Sequence, residues 1–224
     1  MFGNILFHHE EEVECMEQED LRMEQENSVL LRGLMVDPPE FSHENHGKRF
    51  DRFVLSVRRL SGAFDHLNIL AEHSLLDGLD PREGPMVQVE GQIRSYHNHS
   101  GQGQKLLISV YADSISSGAQ EPDNRVSLSG VVCREPVYRH TPLGREICDI
   151  MLAVERRYRR RDYIPCVLWG SVARMGAELE RGDGLMVQGR LQSRNYTKLL
   201  DGCPEERTAF EVSAITACRT PTIS

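Results

Sequence analysis

The chain has 224 residues, enough for one large domain or two of about 100. No apolar run approaches the ~20 residues of a membrane-spanning helix, and the start, MFGNILFHHEEE, has neither a basic leader nor a small-residue cleavage site, so no membrane span and no signal peptide is expected. The net charge of −8 excludes a uniformly basic protein, but the acidic excess sits at one end: residues 1–26 hold nine acids and one base, residues 119–224 fourteen acids and sixteen bases.

Residues 10–26, EEEVECMEQEDLRMEQE, are dense in glutamate and poor in large apolar groups. Like charges repel and little can be buried, so residues 1–26 are expected to form an acidic, solubilising tail. From Asn27 the pattern changes to short strands: apolar runs or alternations at 29–34, 53–58, 67–71, 86–93 and 105–112, with turn signals at Asp37-Pro38-Pro39 and at 80–85, a short helix or loop at 74–77, and a hairpin tip at 97–103. Five short strands in a segment of this length predict a small barrel. Residues 117–124, small and polar with a proline, read as a linker, after which the five-strand pattern begins again. The expected organisation is therefore all-β with short helices: a first barrel at 27–116, a second at 125–219, and a tail at 220–224. The six cysteines form no C-x-x-C pair, and Cys133, Cys148 and Cys166 fall in apolar strand patterns, as reduced core residues of a cytoplasmic protein would.

The densest chemistry lies at 147–170, ICDIMLAVERRYRRRDYIPCVLWG. It reads as two strands joined by a cationic loop with Arg156, Arg157, Arg159, Arg160 and Arg161 around Tyr158. Rings interleaved with guanidinium groups on strands suit single-stranded nucleic acid: the arginines neutralise phosphates and the rings offer faces to unpaired bases. A hairpin with a merely solvated charged loop is the plainer reading of the same residues.

The two halves are copies. Gly33 and Gly130, Pro39 and Pro136, Leu55 and Leu152, Arg59 and Arg156, and Asp65 and Asp162 are all 97 apart; after one further residue, Gly91 and Gly189 and Ser95 and Ser193 are 98 apart. The recurring glycines are expected at positive φ or tight bends.

The second copy, through VSLSGVVCREPVYRHTPLG, DIMLAVERRY, DYIPCVLWGSVA, LERGDGLMVQGRLQSRNYT and TAFEVSA, resembles the bacterial single-stranded DNA-binding protein family in a two-domain variant. The first copy fits more loosely, through LRGLMVDPPEF, FVLSVRR and VQVEGQIRSY. The resemblance implies two tandem OB-fold barrels, binding of single-stranded DNA with little sequence preference during replication, recombination or repair, and no catalysis, cofactor or metal. It places the base-stacking rings on Tyr158, Tyr163, Trp169 and Tyr196. The corresponding positions of the first copy are Ser61, His66, Glu72 and Asn98, none a large aromatic, so that barrel is expected to bind weakly or to serve assembly. Phe64 and Tyr96 are possible substitutes there. Arg190 and Arg194, two strand steps apart on one face, join the candidate phosphate contacts, as does Arg94 beside Tyr96 in the first copy. The resemblance also implies a homodimer that brings four barrels together and a nucleoid-associated location. Replication or repair proteins are possible partners, but the acidic C-terminal tip by which the family recruits them is not seen in the ending RTPTIS.

Two other classes stay open on the residues alone. One is an OB-fold scaffold or primosome-like adaptor that mainly mediates protein contacts; the other is a single-stranded RNA binder. Enzyme readings lack support: there is no Walker loop, no G-x-G-x-x-G after a strand and no G-x-S-x-G elbow, and His97 with His99 make too few ligands for a metal site.

Overall fold

The computed structural model describes residues 26–79, 85–98, 106–118, 121–156, 158, 160–200 and 203–221. The acidic tail as far as residue 25, Gly84, the hairpin tip at 99–103, Arg157, Arg159 and residues 222–224 lie outside them.

The first half folds into β1 (Asn27–Met35), β2 (Glu40–Asn45), β3 (Lys48–Arg58), β4 (Phe64–Glu72), β5 (Met86–His97) and β6 (Leu106–Ser117). The second repeats the order with β7 (Asp123–Val132), β8 (Val137–His140), β9 (Glu146–Arg156), β10 (Arg160–Trp169), β11 (Gly184–Leu200) and β12 (Cys203–Thr220). A 3-10 turn at His73–Leu76 follows β4, and a short helix, α1 (Ser171–Gly176), follows β10. Alternation decides which side of each strand is dry: β3 buries Phe53, Leu55 and Val57, and β9 buries Cys148, Ile150, Leu152 and Val154.

Each half closes on itself. In the first, neighbours run β1–β3–β4–β6–β5 and back to β1; in the second, β7–β9–β10–β12–β11 and back to β7. Only the β4–β6 and β10–β12 pairs are parallel among these pairings. These are two five-stranded OB barrels, each filled by its inward side chains. The predicted five strands per half are all present. The structure adds β2 and β8, the two ends of the sheet order. Both are exposed along their whole length, so no apolar alternation marked them.

The cationic loop is shorter than expected. β9 and β10 pair as far as Arg156 opposite Arg160, with Arg161 opposite Glu155, so these three arginines stand on strands. Ladder hydrogen bonding extends the hairpin through its charged end.

The predicted linker at 117–124 begins on the last residue of β6 and ends inside β7. The barrels share one sheet, because β1 and β7 pair antiparallel with Val29 opposite Val126. These two valines are repeat equivalents, so an approximate two-fold axis passes between them. Asn27 and Asn124 sit symmetrically about it. The side chain of each forms two hydrogen bonds with the backbone of one residue, Ile93 and Leu191 respectively, at 2.7–2.9 Å.

The mid-strand glycines have a different cause from the expected one. A Cβ on Gly33 would lie 2.5 Å from the carbonyl oxygen of Ser56, and one on Gly130 would lie 2.5 Å from that of Ala153. They allow close backbone approach where β1 meets β3 and β7 meets β9, the pairings that close each barrel. Positive φ is the reason at the turn pair, Gly47 and Gly144.

Candidate nucleic-acid interface

β10 carries its apolar residues Ile164, Cys166 and Leu168 inward, which turns Tyr163 and Trp169 to the outer face. Trp169 is 37% exposed. Its indole N–H donates to the Ser213 hydroxyl at 3.0 Å, which fixes the ring over β12 while leaving a face open. Ser213 lies in a row across the barrel, Asp149 on β9, Val167 on β10, Ser213 on β12 and Arg190 on β11. Tyr163 is 39% exposed, and its backbone amide donates to the Ser95 hydroxyl at 2.8 Å, at the seam with the first barrel.

Tyr158 forms the tip of the β9–β10 hairpin. It is 93% exposed with φ of 63°, a left-handed conformation that costs a non-glycine residue about 1–2 kcal/mol. At that exposure almost the whole ring is open to solvent. On β11, Arg190, Arg194 and Tyr196 follow at even spacings, four and then two residues apart, on one face. The Arg194 guanidinium stands 5.7 Å from the centre of the Tyr196 ring. Of the four predicted rings, the structure therefore sets two on the outer face of β10, one at the adjacent hairpin tip and one on the long β11 arm.

Acidic residues that sequence reasoning did not single out share this surface. Arg139 on β8 donates to Asp149 at 2.6 Å. Glu211 on β12 lies 3.8 Å from Arg194. Burial pushes the Glu211 carboxyl above the usual carboxylate range; Arg194 opposes the shift and Asp149 adds to it. Arg161 is held at 3.0 Å by Glu155 in an exposed pair.

Two predicted phosphate contacts have structural duties. Arg94 and Arg156 both donate to Asp162, at 3.2 and 3.3 Å, and Asp162 is fully buried. Asp162 also accepts from the backbone amide of Ser95 at 2.6 Å. Its repeat equivalent Asp65 does the same from the other side, accepting from the Ser193 amide at 2.7 Å and from Arg59 at 2.5 Å. The repeat pointed to Asp65, Asp162, Ser95 and Ser193 but not to their use, because nothing in one strand's sequence says what the other barrel presents to it.

The first barrel's equivalents of the stacking positions are occupied otherwise. The His66 amide donates to the Ser193 hydroxyl at 3.0 Å. Lys48 bonds Glu72 at 2.8 Å and, with Ser74, holds its carboxyl below the usual range. This barrel nevertheless carries an open groove of about 1280 Å³. Its lining includes Tyr96, Leu107 and Tyr111 of the first barrel, with Arg156 and Arg160 reaching in from the second.

Comparison with known proteins agrees with this architecture. The model of the single-strand binding protein family matches residues 123–217, the second barrel with its whole candidate face. A protein named single-stranded DNA-binding protein from Deinococcus radiodurans is 32% identical over 233 residues, covering 85% of this chain and 75% of the relative. One of the same name from Thermus thermophilus is 37% identical over 136 residues, about half (51%) of each chain. The crystal structure of the wild-type single-stranded DNA binding protein from Thermus aquaticus superposes with a TM-score of 0.72 at 23% identity, over 88% of this chain and 94% of that one, and so shares the fold. With two barrels in one chain and a relative matched across both, the protein belongs to the single-strand binding protein family.

Proposed function

We propose that this chain binds single-stranded DNA with little sequence preference, through the outer face of the second barrel. The observation that carries the reading is the pair of half-exposed rings on β10, Tyr163 and Trp169, flanked by the hairpin tip of Tyr158 and by the arginines of β10 and β11. Stacking tolerates any base, and guanidinium groups attract any phosphate, so such a surface selects unpaired strands over particular sequences. Arg160, Arg161, Arg190 and Arg194 are the phosphate contacts on described strands; Arg157 and Arg159 flank Tyr158 in sequence. Arg94 and Arg156 act mainly by holding the barrels together, and contribute field more than direct contact.

The same reading has two chains associating by a two-fold contact, so that four barrels act together in replication, recombination or repair in the cytoplasm. Light scattering tests it: a 25.5 kDa monomer at micromolar concentration would contradict the dimer. For binding itself, the test is anisotropy with labelled oligo-dT against blunt duplex of the same length. Strong preference for the single strand is expected; equal affinity would sink the proposal.

A further inference from the structure

Trp169 is the last residue of β10, and the parallel β10–β12 ladder stops one residue short of it, at Leu168 opposite Ala214. Past that point a side-chain bond takes over, from the indole N–H to the Ser213 hydroxyl on β12. The backbone of Trp169 is set from the other side. It pairs with Ile147 on β9, and the amide of the next residue, Gly170, donates to the Glu146 carbonyl at 3.0 Å. These backbone contacts leave the two side-chain torsions of a half-exposed indole open. The bond to Ser213 selects among them.

Ser213 also lies between the ring and the cations. It pairs with Val167 of β10 on one side and with Arg190 of β11 on the other. The ring is carried by β10 and the guanidinium groups of Arg190 and Arg194 by β11, so a bond from Trp169 to β12 fixes the spacing between a stacked base and the phosphate contacts beside it.

The first barrel serves as an internal control. Its equivalent of Trp169 is Glu72, by the offset of 97. Its counterpart of Ser213 is Tyr111, which pairs with Leu70 and Gln92, the equivalents of Val167 and Arg190. There Glu72 turns to Lys48 and Ser74, and Tyr111 leans on Phe50 with ring centres 5.9 Å apart. The same barrel closure therefore forms without a Trp–Ser pair. What the second barrel gains from the pair is an oriented ring.

We propose that Ser213 is a positioning residue for single-stranded DNA: it holds the Trp169 ring, before any base arrives, in the orientation in which it stacks. The inference rests on the proposed function of the second barrel and deepens it. A ring free to rotate is immobilised only when the strand binds, at a cost in affinity; a ring already pinned has lost that freedom beforehand.

Ser213→Ala removes the acceptor, and Ser213→Thr keeps a hydroxyl on a residue suited to a strand. Time-resolved anisotropy of Trp169, the single tryptophan, reads the motion of the ring in the free protein. The indole should move faster and through a wider angle in Ser213→Ala, and Ser213→Thr should restore the unmodified behaviour. Affinity for labelled oligo-dT should fall about two- to tenfold in Ser213→Ala and recover in Ser213→Thr. Trp169→Phe keeps a ring but has no N–H, so adding Ser213→Ala to it should change the affinity no further. Unmodified affinity in Ser213→Ala, or an equal fall in the Trp169→Phe background, would overturn the positioning role while leaving the second-barrel face in place. Unmodified affinity in Trp169→Ala would overturn the second-barrel reading itself, and the positioning role with it.

Discussion

The carboxylate of Asp162, in the second barrel, accepts a hydrogen bond at 2.6 Å from the backbone amide of Ser95, in the first. Asp65 and Ser193 make the mirror contact at 2.7 Å. The hairpin arms β5 and β11 each reach across the approximate two-fold axis, and a buried acid in the opposite barrel receives them. Both acids are charge-paired in place, among the described residues Asp65 with one arginine and Asp162 with two. The contact therefore sets how the two faces lie relative to one another, and it adds electrostatic definition to the β1–β7 sheet.

Replacing Asp162 by Ala strands two partly buried guanidinium groups. Breaking a buried pair by removing one partner costs about 3–5 kcal/mol. Asp162→Ala should lose this much in urea denaturation, and Asp65→Ala, with a single arginine, should lose less. No loss in either variant would show that the clasp contributes little beyond the shared sheet, and equal losses would show that the second arginine at Asp162 adds nothing.

Tyr158 separates ligand contact from turn geometry. Tyr158→Gly removes the ring and suits the left-handed backbone better. Relief of about 1 kcal/mol offsets the extra freedom of an unfolded glycine, so stability should be unchanged or slightly higher. Affinity for oligo-dT should fall by about 1–3 kcal/mol. A variant that loses stability and keeps its affinity would make Tyr158 a structural residue.

Much of this architecture is legible in the amino-acid sequence, for a physical reason. A barrel needs strict alternation to fill its interior, and Leu152, Val154, Ile164, Cys166 and Leu168 display it openly. The repeat at 97 and 98 exposed the duplication and located Asp65 and Asp162. The edge strands β2 and β8 stayed hidden because they bury nothing. The repeat also slips in the last strand: β11 and β12 are longer than β5 and β6, so Tyr111, paired with Leu70 and Gln92, takes the row position of Ser213 at an offset of 102. Glu211 and Asp149 are acids on a face expected to be basic; the β11–β12 pairing brings Glu211 to Arg194 and the β8–β9 pairing brings Asp149 to Arg139, contacts that only the strand register discloses.

The stacking positions of the two barrels should respond unequally. Tyr163→Ala is expected to weaken binding by about 1–3 kcal/mol, whereas His66→Ala, its equivalent on β4, should cost well under ~1 kcal/mol. Removing charge at Arg160 should lower the dependence of log affinity on log salt by about one unit per lost phosphate contact, and Arg58→Ala should change it less. Anisotropy at two salt concentrations checks all four. Equal losses from the paired variants would mean that the equivalent strands carry the DNA alike in both barrels.

Glu211 gives the proposed binding face a pH dependence. Its folded-state carboxyl is raised, chiefly by burial, so between the unfolded and folded values the native chain holds more protons than the unfolded one. Stability from this group is accordingly greatest at low pH and falls as pH rises through the folded value. Its negative charge also competes with phosphate for Arg194. Glu211→Gln should stabilise the protein at neutral pH, remove this part of the pH slope, and tighten oligo-dT binding at pH 7 more than at pH 5. Identical binding slopes between pH 5 and 7 in variant and unmodified chain would refute a role for this carboxylate on the binding face.

The central claim is that unpaired bases stack on the outer face of the second barrel, and Trp169, the single tryptophan of the chain, stands on that face. Titrating its fluorescence with oligo-dT and with blunt duplex across a salt series tests the claim most directly. Stacking should quench the indole on addition of the single strand, with an affinity that falls steeply as salt rises, and duplex should do so weakly. Full binding of oligo-dT with no change in Trp169 emission, or equal quenching by duplex, would contradict the account.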